Sequence, residues 1–362
     1  MSHNKFELIK KNLKSSKSED KKESDKAWRV RPIVEILKNN IMRFGIFCTA
    51  LSIDEMMVKY YSRFTLKQFI KSKPIRFGIK MWALGSANGY VFNFDIYCGK
   101  NEETLKLSKC PLGSRVVISM LEPLLINTSP RKLAQYHVYF DNLFCCPDLL
   151  IHLKKAGLRS TGTVRDNRVS VKNVLDKNAP RETHLVQHEQ NNGLNFITVQ
   201  DSKAVLILST AAGVIPLGSI SRYDKIEKIK KGLPFPHAFT VYNQFMGGID
   251  IHDQHCSRVL PIFRSKKWTL VILMRLIQAT ITNATVLWNS VKSEENRGTK
   301  DFALEISKYY LEKHSKAQHN FEKGLKRSYC SVNTCKIRTS KLYKTCKDTY
   351  YCEPCFKKAH LQ

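Results

Sequence analysis

The stretch FTVYNQFMGGIDIHDQH, residues 239–255, carries an aromatic segment to two glycines and then delivers two aspartates. Asp250 and Asp253 are three residues apart, which is nearly one helical turn. We therefore expect a helix to begin after the glycines and to present both carboxylates on one side. The surrounding chain is rich in lysine and arginine, so the segment raises the question of what the two acids serve.

Two further aspartates lie at predicted strand ends. Asp54 closes the apolar run FGIFCTALSIDEMM, and Asp141 closes the buried strand YHVYFDNLF. Strand ends at one edge of a sheet and a helix entry can converge in space, and a two-metal phosphoryl-transfer site requires such a carboxylate cluster for Mg²⁺. Taken singly, each aspartate is more often a turn former or a helix cap than a metal ligand. Composition and spacing leave both interpretations open.

The charge of the chain indicates a polyanionic partner. The sequence has 362 residues, with 60 Lys and Arg against 31 Asp and Glu, which gives a net charge of +29. Such a surplus repels itself unless a polyanion neutralises it, so nucleic acid is the leading partner and an anionic membrane the rival. The most apolar stretch, residues 268–288, contains Arg275, Gln278 and Asn283 and is predicted to be a buried helix. With no signal peptide evident, we expect no membrane partner.

The cysteines favour a reducing compartment. Their number is odd, 11, and five of them lie in the last 33 residues. This distribution fits one local metal site in the cytosol or nucleus better than a disulfide framework.

The remaining patterns predict an α/β fold with a mixed sheet flanked by helices. Asn88-Gly89 lies between two alternating apolar segments and predicts a hairpin with a type I′ turn. The first 24 residues have the composition of a disordered basic tail, with a nuclear-import or DNA-contacting arm as the alternative. The predicted order is a tail at 1–24, the first part of the core at 25–166, a β-rich insertion at 167–236, the last part of the core at 237–290, a helical linker at 291–326 and a Cys-rich domain at 327–362 that binds zinc and contacts DNA.

Seven phrases, in this order, resemble the piggyBac transposase family: SIDEMM, RFTLKQFIKSKPIRFGIKMW, GYVFNFDIYCGK, YFDNLF, STGTVRDNR, VYNQFMGGIDIHDQ and RSKKW. The resemblance covers roughly residues 25–360. It implies an RNase H-like core in which Asp54, Asp141 and Asp250 form a DDD triad that binds Mg²⁺ or Mn²⁺, with Asp253 as a fourth acid near the site. It also implies that the double glycine turns the chain so that a helix brings Asp250 to the metals.

The function implied by the resemblance is metal-dependent cleavage and strand transfer of double-stranded DNA in the nucleus. Family members nick at transposon ends, form hairpins there and insert at TTAA targets, and a homodimer is possible. Only about 27 residues precede the matching region, whereas family chains carry a long N-terminal region, so we expect a chain shortened at its N-terminus. The alternative function is a domesticated, catalytically silent DNA-binding protein.

Basic and aromatic residues near the motifs are candidate DNA contacts. Cations in two segments could follow a phosphate backbone, although each could also be a solvated surface charge. The candidates are Arg63, Lys67, Lys71, Lys73, Arg76, Arg165 and Arg168. Trp268 resembles an aromatic position that helps to hold unpaired DNA in the family, and the alternative is a core tryptophan.

The Cys-rich tail offers six candidate zinc ligands: Cys330, Cys335, Cys346, Cys352, Cys355 and His360. Spaced thiolates with a histidine are a ligand set for tetrahedral Zn²⁺, and so short a segment has little core of its own. The alternatives are free thiols in a disordered tail and a zinc module that binds protein. The family tail resembles a RING-like cross-brace with two zinc ions, but Tyr343 stands where relatives often have cysteine. One complete site from Cys330, Cys335, Cys352 and Cys355 is therefore predicted, and a second around Cys346 and His360 is incomplete.

Overall fold

The computed structural model describes residues 2–71, 73–99, 111–170, 175–176, 178–224, 227–259, 264–317, 322–343 and 349–360. The chain divides into two compact units, Met1–Thr299 and Lys300–Gln362. Each unit is described by itself below.

The larger unit alternates strands and helices. Its strands are β1 (Ala50–Lys59), β2 (Lys67–Phe69), β3 (Phe77–Ser86), β4 (Val91–Ile96), β5 (His137–Phe140), β6 (Arg159–Val164), β7 (His184–Glu189), β8 (Leu194–Gln200), β9 (Ala204–Ser209), β10 (Gly218–Tyr223) and β11 (Lys230–Phe235). Its helices are α1 (His3–Asn12), α2 (Arg31–Met42), α3 (Leu112–Asn127), α4 (Pro130–Leu133), α5 (Pro147–Lys155), α6 (His237–Phe245), α7 (Gly248–Val259) and α8 (Trp268–Val291).

Nine strands among the described residues form one mixed sheet, in the order β2-β3-β1-β5-β6-β9-β8-β7, with β4 paired to β3. The central pairs β1–β5 and β5–β6 are parallel. The strand pairs towards both edges, including β1–β3 and β6–β9, are antiparallel. The mixed sheet predicted from the sequence is therefore confirmed.

Helices cover both faces of the sheet because its central strands are apolar on both sides. In β1, Leu51 and Ile53 belong to the core shared with α3 and α5, whereas Met56 and Val58 belong to the core shared with α2, α7 and α8. Successive side chains of a strand point to opposite faces, so one strand supplies two cores. The flanking helices are thereby confirmed, while the RNase H-like description remains a prediction.

The predicted hairpin is present, but its turn differs from the prediction. Strands β3 and β4 pair around a loop in which the Gly89 amide donates to the Ser86 carbonyl at 3.0 Å. Gly89 has φ of +87°, whereas Asn88 is absent from the described non-glycine residues with positive φ. A type I′ turn requires positive φ at both central residues, so the prediction was wrong. The Ser86 amide donates to the Tyr90 carbonyl at 2.9 Å, which closes a three-residue loop, 87–89, with glycine at its left-handed position.

Residues 3–12 form helix α1, where the composition predicted a disordered tail. The Ser2 side chain accepts a hydrogen bond from the Lys5 amide at 3.4 Å, which caps the first turn. The Lys267 ammonium donates to the carbonyls of Lys10 and Leu13 at 3.3 and 2.6 Å, which satisfies groups at the other end of the helix. Composition could not show the second contact because Lys267 is remote in sequence.

The region predicted as a β-rich insertion contains strands β7 to β11. Strands β7, β8 and β9 extend the large sheet, and β10–β11 form a separate two-stranded sheet. A third apolar core joins Ile197 and Ile207 of the large sheet to Phe235 and to Phe239 of α6. The segment before the double glycine is thus packed against these added strands.

Helix α8 is the one described helix that is long and apolar enough to cross a bilayer by length and composition. Its residues Val271, Ile272 and Leu276 pack into the core beneath β1 and β3. A core helix of a globular protein passes the same test, so this observation carries no membrane assignment.

Among its described residues, the smaller unit has a three-stranded antiparallel sheet and two helices. They are α9 (Thr299–Ala317), which starts at the unit boundary, β12 (Glu322–Tyr329), β13 (Arg338–Tyr343), β14 (Thr349–Tyr350) and α10 (Glu353–His360). Tyr343 is buried and its ring stacks on Phe356 with centroids 4.0 Å apart. Tyr343 is therefore an aromatic packing residue of the smaller unit.

Candidate functional site

Asp54 and Asp141 lie side by side because of the parallel register of β1 and β5. Ile53 is opposite Phe140, so the two aspartates follow at the same level of adjacent strands. Asp141 directly follows β5, as predicted. Asp54 does not end β1, which continues to Lys59 along β3, so that part of the prediction was wrong. It nevertheless marks the point where the parallel neighbour β5 ends, which leaves space for a site beside it.

Helix α7 brings Asp250 to the same edge by a close approach to the sheet. A Cβ atom on Gly248 would lie 2.2 Å from the Ser86 carbonyl oxygen and 2.9 Å from Ser52 Oγ, whereas one on Gly247 would meet nothing within 4 Å. Neither glycine is among the described residues with positive φ. Gly248 therefore lets the first turn of α7 contact β1 and β3. The expected role of Gly247 and Gly248 in turning the chain does not follow from their backbone conformation.

The ammonium group of Lys73 lies among the carboxylates. Its Nζ is 3.3 Å from Asp54 Oδ2, 3.8 Å from Glu55 Oε1 and 3.8 Å from Asp250 Oδ1. Lys80 approaches from β3, with Nζ 3.8 Å from Glu55 Oε2 and 3.9 Å from the centre of the Trp82 ring. The site is thus a mixed-charge cluster, which we call the carboxylate cluster: Asp54, Glu55, Asp141 and Asp250 with Lys73 and Lys80.

Burial sets the electrostatics of the cluster. Burial raises the pKa of Asp54 to about 6, since Lys73 only partly offsets the loss of hydration and Glu55 adds repulsion. Burial also raises the pKa of Asp141, against a hydrogen bond from the Leu143 amide to Oδ1 at 2.8 Å. Burial lowers the pKa of Lys80. The acids are therefore held where an additional cation would stabilise their charged forms.

The donor set fits a hard divalent cation. Glu55 Oε2 is buried and finds no hydrogen-bond donor among the described residues. The side chain of Asp250 is 71% exposed, against 11% for Asp54, so the cluster opens to solvent at the α7 side. Carboxylate oxygens are the ligands that Mg²⁺ and Mn²⁺ prefer. These residues could hold such an ion.

Asp253 lies near the carboxylate cluster, since Asp250 and Lys73 both affect the pKa of its carboxyl, but its salt bridge among the described residues is made elsewhere. It pairs with the guanidinium of Arg275, a buried residue of α8. Burial raises the pKa of the Asp253 carboxyl, and Arg275 opposes that shift. The structure therefore uses Asp253 to join α7 to α8, one turn behind the residue that reaches the cluster.

The predicted DNA contacts fall into four groups. Arg63, Lys71 and Arg76 are exposed, and Lys67 is half-buried in β2, so these cations remain available to a phosphate backbone. Lys73, by contrast, is engaged by the carboxylates.

Arg165 and Arg168 contact the loop that follows Asp141. Arg165 Nε donates to Asn142 Oδ1 at 3.0 Å, while its side chain remains exposed. One nitrogen of Arg168 donates to the carbonyls of Asn142, Leu143 and Cys145 at 2.9, 3.0 and 3.1 Å. The geometry of Arg168 holds the Asp141 loop, a role that its position in the sequence did not indicate.

Trp268 is half-buried and stacks on Phe64, with ring centroids 4.4 Å apart and an interplanar angle of 18°. It also packs against the core beneath β1. In this structure the contacts of Trp268 are therefore those of a core tryptophan, which was the alternative to a DNA contact.

Sequence reasoning missed three residues of the site. Glu55 adjoins Asp54 in SIDEMM, and Lys80 interrupts the apolar strand β3, so charge within a buried strand was an available signal for both. Tyr242 of α6 is the third: its hydroxyl lies 3.4 Å from Thr163 Oγ1, and burial raises its pKa, with Asp141 and Asp54 contributing. Its neighbours come from distant strands, so no local pattern identified it.

The smaller unit brings together Cys330, Cys335, Cys352 and Cys355, whose sulfur atoms all lie within 4.8 Å of one another. The Sγ atoms of Cys335 and Cys352 are 3.6 Å apart, which is too long for a disulfide bond. Ligands about 2.3 Å from a tetrahedral zinc ion lie roughly 3.8 Å from each other, so the cluster fits Zn²⁺. Cys346 and the side chain of His360 lie outside the described part of the chain.

Comparisons with known proteins agree on one family. The family model described as Transposase IS4 matches residues 1–285. The chain is 29% identical to the human PiggyBac transposable element-derived protein 3, over 100% of this chain and 62% of that relative. It is 26% identical to the human PiggyBac transposable element-derived protein 2, over 85% of this chain and 52% of that relative. The chain belongs to the piggyBac transposase family.

The fold is also that of a piggyBac transposase. A cryo-EM structure of a piggyBac transposase synaptic complex with hairpin DNA matches with a TM-score of 0.69 and 22% identity, over 84% of this chain and 62% of that one. The family predicted from the seven phrases is thereby confirmed. This piggyBac-family chain spans about 62% of the length of the first relative.

Proposed function

We propose that this chain is a nuclear, DNA-binding piggyBac-type transposase derivative whose carboxylate cluster performs metal-dependent cleavage and strand transfer. The observation that carries the proposal is the convergence of Asp54, Asp141 and Asp250. They come from β1, the end of β5 and the start of α7, and the register of β1 and β5 together with Gly248 puts them at one edge of the sheet.

Asp54, Asp141 and Asp250 would hold Mg²⁺ or Mn²⁺, with Glu55 as an adjacent buried carboxylate. The ions would supply activation of the attacking oxygen and stabilisation of the leaving oxygen in an in-line displacement at phosphorus. The chain itself positions the acids: backbone amides of Glu55 and Leu143 hold one oxygen each of Asp54 and Asp141 at 2.7 and 2.8 Å. The other oxygen of Asp54 lies 3.3 Å from Lys73 Nζ, and the exposed Asp250 leaves an entrance for DNA.

The charge of the chain supports double-stranded DNA as the partner. Its net charge is +29, and exposed Arg63, Lys71 and Arg76 border the segment that carries Lys73. Phosphate contacts of this kind position a protein on DNA without reading its sequence. We propose transposon ends and a TTAA target as the specific substrates, because the resemblance to the family implies them.

The cysteine cluster is proposed to hold one Zn²⁺ and to fix the fold of the smaller unit. Its four sulfur atoms have the spacing of a tetrahedral site. The described strand β12 carries Lys323, Lys326 and Arg327, which favours a contact with DNA by this unit.

The deciding experiment is a strand-transfer assay with the purified chain, precut transposon-end DNA from its source genome and TTAA-containing target DNA in Mg²⁺ or Mn²⁺. We expect joined product from the wild type and a loss on the order of a thousandfold or more in Asp54→Asn, because several kcal/mol of transition-state stabilisation depend on the metal ligands. Asp148→Asn, which changes an exposed carboxylate on α5, is the matched control and should retain activity.

If wild type and Asp54→Asn both bind the DNA with the same salt-sensitive affinity and neither joins strands, catalysis is excluded. The chain would then be the alternative, a domesticated DNA-binding protein without activity.

A further inference from the structure

Lys73 occupies the centre of a set of acids rather than a surface position. It lies between β2 and β3, and its side chain is 23% exposed, while Asp54 and Glu55 are 11% and 10% exposed. Its Nζ lies within 3.8 Å of oxygens from three different carboxylates, on Asp54, Glu55 and Asp250. These carboxylates include two of the proposed metal ligands, so the ammonium group and a divalent cation would seek the same oxygens.

The spacing of the acids reflects this arrangement. Of the described residues, only the four cysteines form a group of three or more possible ligands with all ligand atoms within 4.8 Å. The carboxylates instead stand around the ammonium group at salt-bridge distances. A Mg²⁺ ion needs oxygens at about 2.0–2.1 Å, so it would lie within a few ångströms of Nζ and be repelled by it.

We propose that Lys73 is an intramolecular counter-ion that competes with divalent cations for the carboxylate cluster and must withdraw before the cluster is fully loaded. This inference rests on the proposed function, because it assumes that the cluster binds a metal ion. The withdrawn ammonium group has a partner of suitable chemistry in a phosphate of bound DNA, beside the exposed cations Lys71 and Arg76. Metal loading is thereby coupled to the presence of substrate.

The energetic basis is the removal of one positive charge next to the site. Two unit charges about 4 Å apart repel each other even at an effective dielectric constant near that of water. This repulsion changes a binding equilibrium constant by roughly a factor of five to ten. A variant without this charge should therefore bind a divalent cation more tightly, although it loses a residue that touches the site.

The test is Mn²⁺ binding by the full chain in the absence of DNA, after the cysteine cluster has been filled with Zn²⁺. The electron paramagnetic resonance signal of free Mn²⁺ measures how much of the ion is bound. Lys73→Met should lower the Kd by at least about fivefold relative to wild type, and Lys73→Arg should not. Lys73→Gln repeats the neutral substitution with a polar side chain, in case methionine disturbs folding. Lys59→Met removes an exposed charge from the end of β1 and should leave the Kd unchanged.

Asp54→Asn separates failure of this inference from failure of the proposed function. Suppose that Asp54→Asn removes Mn²⁺ binding, and that the two neutral variants bind Mn²⁺ as tightly as wild type or more weakly. The metal site then stands, and the counter-ion role of Lys73 is overturned. If no variant shows binding that depends on Asp54, the proposed metal site and the inference both fail. Binding by Lys73→Met or Lys73→Gln but not by wild type would support competition in its strongest form.

Discussion

The carboxylate cluster and the cysteine cluster are built in opposite ways. The four cysteines lie within residues 330–355, so local spacing alone brings them together. The acids come from β1, the loop after β5 and α7, and the packing of a nine-stranded sheet places them. A cation in the smaller unit should therefore hold the fold, whereas a cation in the larger unit should meet a scaffold that is already formed.

The largest effect that tests this contrast is metal removal. A strong zinc chelator should unfold the described strands and helix of residues 322–360, because structural zinc in small domains contributes about 10 kcal/mol or more. All four tryptophans, Trp28, Trp82, Trp268 and Trp288, lie in the larger unit. Their fluorescence should stay unchanged while limited proteolysis shows loss of the smaller unit.

Two variants control the chelation experiment. Cys352→Ser should reproduce the proteolysis pattern without chelator, and Cys48→Ser, which changes a half-buried free cysteine of the larger unit, should not. Protease resistance that persists in both the chelated protein and Cys352→Ser would show that the smaller unit folds without metal.

The same contrast explains how much the sequence could predict. The four clustered cysteines were found from their spacing in one short segment. Asp54, Asp141 and Asp250 were found from strand ends and from motifs, and the structure places them at one edge of the sheet. The partners of these acids were not found: Lys73 was assigned to DNA, and Arg275 was read only as a polar residue in a buried helix.

Those partners escaped prediction for a physical reason. Lys73 meets Asp250, and Arg275 meets Asp253, only because sheet and helices pack together over long sequence separations. The ionic pairing of a residue depends on such packing, whereas its local pattern depends on chain neighbours. For that reason the sequence could predict which segments are strands and which are helices. It could not predict that β1 extends beyond Asp54, because that extension depends on pairing with β3.

A smaller but still large effect should distinguish the two aspartates of α7. Asp253→Asn leaves the buried Arg275 without its counter-ion, so we expect the free energy of unfolding to fall by about 3–5 kcal/mol. Asp250 is exposed and lies 3.8 Å from Lys73, so Asp250→Asn should cost less than about 1 kcal/mol. Urea unfolding followed by tryptophan fluorescence measures both.

The double variant Asp253→Asn with Arg275→Met checks the cause. It should recover most of the lost stability, because the buried charge is replaced by an apolar side chain of similar length. If the double variant is as unstable as the sum of the two single variants, the pair is not the source of the effect, and Asp253 would return to consideration as a member of the carboxylate cluster.

The smallest effect concerns acid, and it comes from the helix that carries both aspartates. His252 is buried, its Nδ1 is 2.8 Å from the Gly89 carbonyl oxygen, and burial lowers its pKa from 6.5 to about 3. Between pH 6.5 and 3 the unfolded chain binds a proton that the folded chain does not. The free energy of unfolding should therefore decrease as the pH falls, by up to about 1.4 kcal/mol per pH unit from this residue.

Comparing variants isolates this contribution. His137, whose pKa burial lowers to about 4, acts in the same direction, and Asp54, whose pKa burial raises to about 6, acts in the opposite one. Both are common to wild type and His252→Gln, so the difference in slope between them, measured by urea unfolding at pH 7 to 5, belongs to His252. The exposed His188→Gln should retain the wild-type slope. Equal slopes in wild type and His252→Gln would mean that His252 binds its proton over the same pH range in the folded and the unfolded chain. The close packing of α7 on the Gly89 loop, which orients Asp250, would then need another explanation.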